Sequence, residues 1–213
     1  MRTVHDERTG RVRCDDDALD ALLRDPSTGP ASVAMDERTS AALGAVAHAL
    51  TEGRVLVSTS SSVRDHRFWI APGAAAFFLA LGDGLGDLVG VAPALVPERL
   101  AGLVGLGPRR VVGVRSPLPV APDLLEDLLS ASDLRRSSAL AVLGARRAWR
   151  LDVEAPAHEQ VPLRTMTVID GSRGYWLVAD ADTDAQGDAG DGAVLLAPTT
   201  ATVLWRRLAT VLA

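Results

Sequence analysis

The 213-residue sequence contains no lysine, no asparagine, one cysteine and few aromatic residues: four tryptophans, three phenylalanines and one tyrosine. Without lysine, the chain cannot form a Schiff base, place a lysine in a phosphate-binding loop or use a lysine general base. The single Cys14 cannot form a disulfide within the chain, and the neighbouring Asp15 and Asp16 disfavour its reactive thiolate. We therefore expect Cys14 to have no catalytic role.

Long apolar runs and a basic surface are also missing. No window holds about 18 uninterrupted apolar residues and the N-terminus has no apolar stretch, so the sequence predicts neither a membrane span nor a signal peptide. The 22 arginines, set against 27 acidic residues, give a net charge of -5 and are scattered singly or in pairs, whereas a nucleic-acid interface needs a basic face. We expect a cytoplasmic protein that does not bind nucleic acid.

Hydrophobic periodicity predicts the same order of elements in each half of the chain. The first half has predicted helices at 17–23, 40–48 and 96–106 and strands at 55–57, 66–70, 77–81 and 88–92. The second half has predicted helices at 123–129, 138–147 and 200–212 and strands at 149–153, 164–169, 175–179 and 193–197. Connections between the strands are too short for crossover helices, so antiparallel meanders are favoured over a parallel sheet.

The two halves match closely enough to predict an internal duplication. The spacing between matched segments changes only where loops are predicted, four aromatic residues fall in each half, and the pair Phe77 and Phe78 matches Tyr175 and Trp176. The alternative is that segments rich in Ala, Leu and Val match one another easily. We predict an α+β protein with quasi-two-fold symmetry, two α-α-β-β-β-β-α units at residues 1–108 and 109–213, fused into one domain.

Candidate catalytic motifs all fail on spacing. The hydroxyl run at 59–62 has no Gly-x-Ser-x-Gly elbow around it, which favours a solvated strand end or turn. His158 and the following glutamate begin like a zinc-protease motif, but Pro162 stands where the second histidine is required. The glycine-rich segment 82–86 precedes a strand rather than a helix, which predicts a hairpin turn instead of a phosphate loop.

The acidic segment 180–191 is the strongest metal candidate in the sequence. Asp180, Asp182 and Asp184 have the spacing of a calcium loop, but Ala185 replaces the glycine of its sixth position and Asp191 the glutamate of its twelfth. A hairpin loop is therefore favoured over a cation site. With no catalytic set either, we expect no enzyme activity, no metal and no cofactor.

Three segments follow one another in each half of the chain. The first half has 10–27, the aromatic hairpins and 96–108, and the second has a helix rich in Ala, Leu and Arg, the hairpin 167–178 and the closing helix 197–212. In this layout, which extends over nearly the whole chain, the sequence resembles the EspG family of type VII secretion chaperones from actinobacteria.

The resemblance implies an α+β fold with a central antiparallel sheet and no enzymatic activity. It also implies cytosolic binding to the helical tip of a secreted helical-hairpin protein of the PE/PPE type. Family members use the central sheet, an inter-strand loop and C-terminal helices for this contact. The matching residues, the predicted partner-binding set, are Arg67, Trp69, Ala71, Pro72, Gly73, Trp205 and Arg206.

Two other readings remain open at the level of sequence. The chain could bind a small ligand or act as an enzyme with a site assembled from both halves around His66, Arg67, Asp170 and Arg173. It could also be a structural homo-oligomer that pairs through exposed sheet edges, although a monomer or weak homodimer is favoured. Against the partner-binding role, Trp69, Trp176 and Trp205 could all be core residues, since a chain with so few aromatics has few to place on its surface.

Overall fold

The computed structural model describes residues 3–6, 11–24, 37–109, 116–154, 164–178 and 193–212. Across these residues the protein is an α+β structure of eleven β-strands and six α-helices. The strands are β1 (Thr3–Asp6), β2 (Arg11–Asp15), β3 (Thr51–Thr59), β4 (Val63–Ala71), β5 (Ala74–Gly82), β6 (Leu85–Val91), β7 (Leu118–Val120), β8 (Ala145–Glu154), β9 (Arg164–Gly171), β10 (Gly174–Val178) and β11 (Val194–Thr199). The helices are α1 (Asp16–Arg24), α2 (Glu37–Ala47), α3 (Val96–Leu103), α4 (Pro122–Leu128), α5 (Asp133–Val142) and α6 (Ala201–Val211).

The strands have the hydrogen-bonded order β1-β2-β6-β5-β4-β3-β8-β9-β10-β11-β7. Every pair whose register is described is antiparallel. The predicted α+β class and antiparallel sheet are thus confirmed. The sequence did not predict the strands that precede the first helix of each half, which are β1 and β2 in the first half and β7 in the second. β2 and β7 each pair with the last strand of the following meander, β6 or β11.

The chain forms two compact units. Unit 1 comprises Met1–Val55, Arg64–Arg99 and Asp152–Arg164, and unit 2 comprises Leu56–Val63, Leu100–Leu151 and Thr165–Ala213. The element order β2-α1-α2-β3-β4-β5-β6-α3 recurs as β7-α4-α5-β8-β9-β10-β11-α6. An origin of this order by duplication, and a boundary at residue 108, remain predictions.

The core of unit 1 lies where α1 and α2 pack on the strands. Asp15 starts α1 by accepting a hydrogen bond from the Ala18 amide at 2.8 Å, and the acidic first turn of the helix suits its dipole. Apolar residues from both helices then bury against β2, β4, β5 and β6. Members of this cluster include Cys14, Leu19, Leu43, Trp69, Phe78 and Leu88.

The core of unit 2 lies under α4 and α5, and it corrects one predicted helix. Leu128, Leu140 and Ile169 belong to its buried cluster. The helix predicted at 138–147 instead spans Asp133–Val142. It ends before Gly144 because that glycine adopts a left-handed backbone (φ +58°) and the following residues enter β8. In the same way α3 ends at Leu103 rather than at 106, with Gly105 at φ +62° just beyond it.

The hydroxyl run at 59–62 and the glycine-rich segment 82–86 both lie at strand ends and turns, as predicted. Residues 60–62 form the turn after β3, where the Thr59 amide donates to the Ser62 carbonyl at 2.9 Å. Residues 82–86 include the β5–β6 hairpin turn, with positive φ at Gly82, Asp83 and Gly84. No helix in the described ranges is long and apolar enough to span a membrane.

The cysteine and the aromatic pairs also have clear positions. Cys14 is fully buried in β2, and burial, together with Asp15, Asp16 and Asp87, raises its pKa to about 12, as expected of an unreactive thiol. The predicted match between Phe77 and Tyr175 does not hold in position along the hairpins. Phe77 lies three positions after Ala74, the last turn partner of β5, whereas Tyr175 lies one position after Gly174, the corresponding residue of β10. The aromatic match is thus offset by two residues in the structure.

Candidate functional site

The first part of the predicted partner-binding set lies on the β4–β5 hairpin of unit 1. Ala71 pairs with Ala74 at the end of the hairpin, and the two turn residues between them, Pro72 and Gly73, are exposed. Gly73 has φ +82°, a conformation that favours glycine. Arg67, near the middle of β4, is partly exposed and lies 3.4 Å from the carboxylate of Asp20 on α1.

Two members of the predicted set lie in the core rather than on the surface. Trp69 is only 2% exposed, and its indole nitrogen donates a hydrogen bond to the carboxylate of Glu52. Ala71 is buried in the same apolar cluster. Strand alternation places Trp69 on the face covered by helices, so the ordinary core reading holds for this tryptophan. The hairpin surface is therefore reduced to Arg67, Pro72 and Gly73.

The second part of the set lies on α6 of unit 2. Thr200 caps this helix by accepting a hydrogen bond from the Val203 amide at 3.3 Å, and Leu204 and Leu208 bury its inner side. Trp205 is 42% exposed, and Arg206 is exposed one position further on. The helix carries two arginines and no acidic residue, so its outer side combines positive charge with an exposed indole.

The structure adds exposed apolar residues that the sequence did not single out. On α5, Leu134 and Val142 are largely exposed, although they flank the buried Ala139 and Leu140. The helical periodicity of 133–142 would have assigned them to the outer side, had the helix been placed at its true limits. The predicted helix 138–147 does not include Leu134, so the exposed apolar side of α5 is not predicted.

A buried polar cluster in unit 2 holds Asp170, a residue of the small-ligand reading. Arg109 donates to both carboxylate oxygens of Asp170 at 3.0 and 3.2 Å, and Arg146 lies 3.5 Å away. The hydrogen bond to Asp170 raises the pKa of Arg109, whose guanidinium also lies 5.5 Å from the centre of the Tyr175 ring. The carboxylate of Asp170 is thus neutralised by arginines of its own unit.

The other residues of the small-ligand reading are placed as follows. His66 is buried in β4, where its Nδ1 accepts a hydrogen bond from the Ala80 amide at 3.1 Å. Burial lowers the pKa of His66 to about 4, Arg64 acts in the same direction, and Asp65 opposes it. Arg173 is exposed on the β9–β10 turn. His66 and Asp170 therefore have structural partners within their own units.

Within the described ranges, no three His, Cys, Asp or Glu side chains are grouped so that they could hold a metal ion. The acidic segment 180–191 lies outside the described residues. Among the described residues, exposed apolar or turn residues lie on the β4–β5 hairpin, α5 and α6.

Comparison with solved structures identifies the fold. The chain aligns with the type VII secretion system chaperone EspG5 of Mycobacterium tuberculosis, solved in complex with a PE25-PPE41 dimer, over 95% of each chain. The TM-score is 0.51 and the sequence identity is 14%. The chain has the fold of EspG5. No protein-family model matches it, and no curated protein matches it in sequence.

The alignment with EspG5 shows how much of the architecture the two chains share. Because 95% of each chain is covered, the match involves the whole architecture rather than one hairpin or helix pair. At 14% identity it does not identify equivalent binding residues.

Proposed function

We propose that this protein is a non-enzymatic cytoplasmic chaperone that binds a helical-hairpin secretion substrate of the PE/PPE type. The observation that carries the proposal is the fold shared with EspG5, a chaperone solved with a PE25-PPE41 dimer, over 95% of both chains. A chaperone of this kind masks an apolar helical tip, and it therefore needs an exposed and partly apolar surface rather than a catalytic pocket.

The outer side of α6 supports this role. Trp205 offers a large, rigid apolar surface, and tryptophan and arginine are the residues most enriched among those that dominate binding energy at interfaces. Arg206 and Arg207 add positive charge without a neighbouring acid on the helix. On the hairpin, Pro72 and Gly73 offer an exposed, rigid turn.

Co-expression is the direct test. The full chain is produced with each helical-hairpin protein encoded beside it, and gel filtration followed by mass measurement detects a complex. We expect a stable complex with at least one neighbour. Failure to form a complex with any of them would contradict the proposal.

Surface variants then test the α6 interface. Trp205→Ala is expected to weaken the complex at least tenfold, equivalent to about 1.4 kcal/mol. Leu81→Ala is the matched control because Leu81, in unit 1, is 43% exposed against 42% for Trp205. Circular dichroism checks that both variants fold. Equal affinity of the two variants would exclude α6 from the interface.

A further inference from the structure

The guanidinium group of Arg109 lies in a slot of unit 2 beside Asp170 and Tyr175. Its Nε and Nη2 donate to the two carboxylate oxygens of Asp170 at 3.2 and 3.0 Å. Nη2 also donates to the Gly105 carbonyl at 3.2 Å, and Nη1 donates to the Pro108 carbonyl at 3.4 Å. The guanidinium carbon lies over the Tyr175 ring, 5.5 Å from its centre. Each of the three nitrogens therefore has an acceptor, and the planar group has an aromatic ring beside it.

The Asp170–Tyr175 slot has a chemical preference of its own. The two residues are cross-strand partners on β9 and β10, and both side chains are almost fully buried. A buried carboxylate is costly without a cation, and its two oxygens match the parallel N–H donors of a guanidinium better than the single nitrogen of an ammonium. The ring adds a cation–π attraction. The slot is therefore suited to a planar cation with two parallel donors.

Arg109 enters the slot from segment 105–109, which follows α3. This segment brings one large apolar side chain, Leu106, and that side chain is half-buried. Polar contacts bond the segment to β9 and β10: the Arg109 ion pair, and the Tyr175 hydroxyl with the amide and carbonyl of Gly107 at 3.1 and 3.0 Å. The side chain of Arg109 is 26% exposed, so the slot is accessible to solvent along the path of this arginine.

A second arginine keeps one ion pair to Asp170 when Arg109 is absent from the slot. The Nε of Arg146 lies 3.5 Å from Oδ1 of Asp170, and the Arg146 side chain is 58% exposed. Among the described contacts, Oδ2 accepts from Arg109 alone. Loss of the Arg109 side chain therefore frees Oδ2 and the face of the Tyr175 ring together, while the carboxylate keeps a cation at its other oxygen.

We infer that the Asp170–Tyr175 slot is a binding site for an alkylguanidinium group, with Arg109 as its internal ligand, and that an external alkylguanidinium compound binds there when Arg109 is removed. The ligand class is the group that ends an arginine side chain. Specificity comes from the two carboxylate oxygens, which accept from parallel donors, and from the ring beside them. The site lies within unit 2 and does not depend on the proposed chaperone role.

Replacing the internal ligand tests the site. Arg109→Ala deletes the side chain beyond Cβ, and ethylguanidinium has the deleted atoms. At millimolar concentration it should raise the melting temperature of Arg109→Ala by at least about 2 °C and then saturate, because a ligand that binds only the folded state stabilises it. Ethylammonium, which has the same charge but a single nitrogen, should give a much smaller rise. Equal rises for the two compounds would contradict a guanidinium site.

Tyr175 reports binding at the slot directly, because it is the only tyrosine of the chain. With ¹³C-labelled tyrosine, ethylguanidinium should shift the ring resonances of Arg109→Ala, with the dissociation constant that the melting data give. Arg54→Ala is the matched control: Arg54 donates to both carboxylate oxygens of Asp65, but that carboxylate is 30% exposed. Neither Arg54→Ala nor the wild type, in which Arg109 fills the slot, should show these shifts at the same concentration. No shift in Arg109→Ala, or equal shifts in all three proteins, would overturn the inference.

A double variant separates ligand binding from folding. Arg109→Ala combined with Asp170→Asn lacks the carboxylate that the ligand would bind, so it should not respond to ethylguanidinium. If Arg109→Ala is unfolded on its own, both variants are titrated in trimethylamine N-oxide, which favours the folded state. A response of the double variant equal to that of Arg109→Ala, or no response of Arg109→Ala once folded, would overturn the inference. No client takes part in these measurements, so their failure is distinct from failure of the proposed function.

Discussion

Each unit has a buried pair of side chains that face each other across two neighbouring strands, and the pair is apolar in unit 1 and polar in unit 2. In unit 1, Phe68 on β4 lies opposite Phe77 on β5, and the rings stack with centroids 5.7 Å apart. In unit 2, Asp170 on β9 lies opposite Tyr175 on β10. All four side chains are almost fully buried. Each pair lies on the strand face opposite to that of its neighbouring residue in the helix-covered cluster, Trp69 or Ile169.

The polar pair depends on residues that are distant in sequence. Arg109, 61 positions before Asp170, binds its carboxylate and lies over the Tyr175 ring, while the Tyr175 hydroxyl bonds the backbone of Gly107 at 3.0 and 3.1 Å. The Phe68 ring also covers Gly53 on the adjacent strand. The polar pair thus joins the segment that follows α3 to β9 and β10, whereas the phenylalanine stack joins β4 and β5 beside β3.

Placing a carboxylate in the apolar pair should have the largest effect. Phe68→Asp removes the stack on Phe77 and buries a charge in a site built for a ring, so we expect unfolding to become easier by more than about 4 kcal/mol. Urea denaturation followed by circular dichroism measures the change. Phe68→Leu, which keeps the site apolar, should lose only about 1–2 kcal/mol. Similar stabilities for the two variants would contradict the assignment of this site as strictly apolar.

Removing the arginine of the polar pair should have the next largest effect. Among the described residues, Arg109→Ala leaves the buried Asp170 with the longer ion pair to Arg146, so we expect a loss of about 3 kcal/mol in the same denaturation experiment. Arg109→Lys should recover part of this loss, because lysine cannot bind both carboxylate oxygens at once. Arg173→Ala removes an exposed arginine of the neighbouring turn and should change stability by less than about 0.5 kcal/mol. A loss equally small for Arg109→Ala would show that Arg146 is sufficient.

Elements with a clear local periodicity could be predicted from the sequence in both units, and short elements could not. Period-two alternation and helical spacing act over a few residues, and they located β4, β5, β9, α1 and α6 within a few positions. The three-residue β7 is too short to show a period, and β2 directly precedes a stronger helical signal. The predicted helix 138–147 runs past the true end of α5 because Gly144 ends the helix through its backbone conformation, and it begins later than the true start at Asp133.

The surfaces were harder to predict than the fold. Residue type does not tell whether a tryptophan is buried, because burial depends on what packs against its strand or helix. Trp69 is a core residue, whereas Trp205 is 42% exposed. The partnership of Arg109 with Asp170 is equally invisible, since no local pattern joins residues 61 positions apart. Pro72 and Gly73 were placed at a turn because their own backbone preferences require it. The sequence therefore predicts turns from the residues that form them, but not which side chains become buried by distant parts of the chain.

Acidification should separate the units by a smaller effect, because the buried histidine that the structure describes, His66, belongs to unit 1. Burial lowers the pKa of His66 to about 4, whereas an unfolded histidine titrates near pH 6.5, so the unfolded state binds more protons between these values. The contribution of neutral His66 is complete above about pH 6.5 and is lost as the pH falls to 4, by up to about 3 kcal/mol. His66→Asn keeps an acceptor for the Ala80 amide but does not titrate, so its stability should vary less over this range. Aspartates titrate in both proteins, and the difference between their urea curves at pH 7 and pH 4.5 therefore isolates His66. Parallel pH dependence in the two proteins would mean that His66 is not held neutral in the folded state.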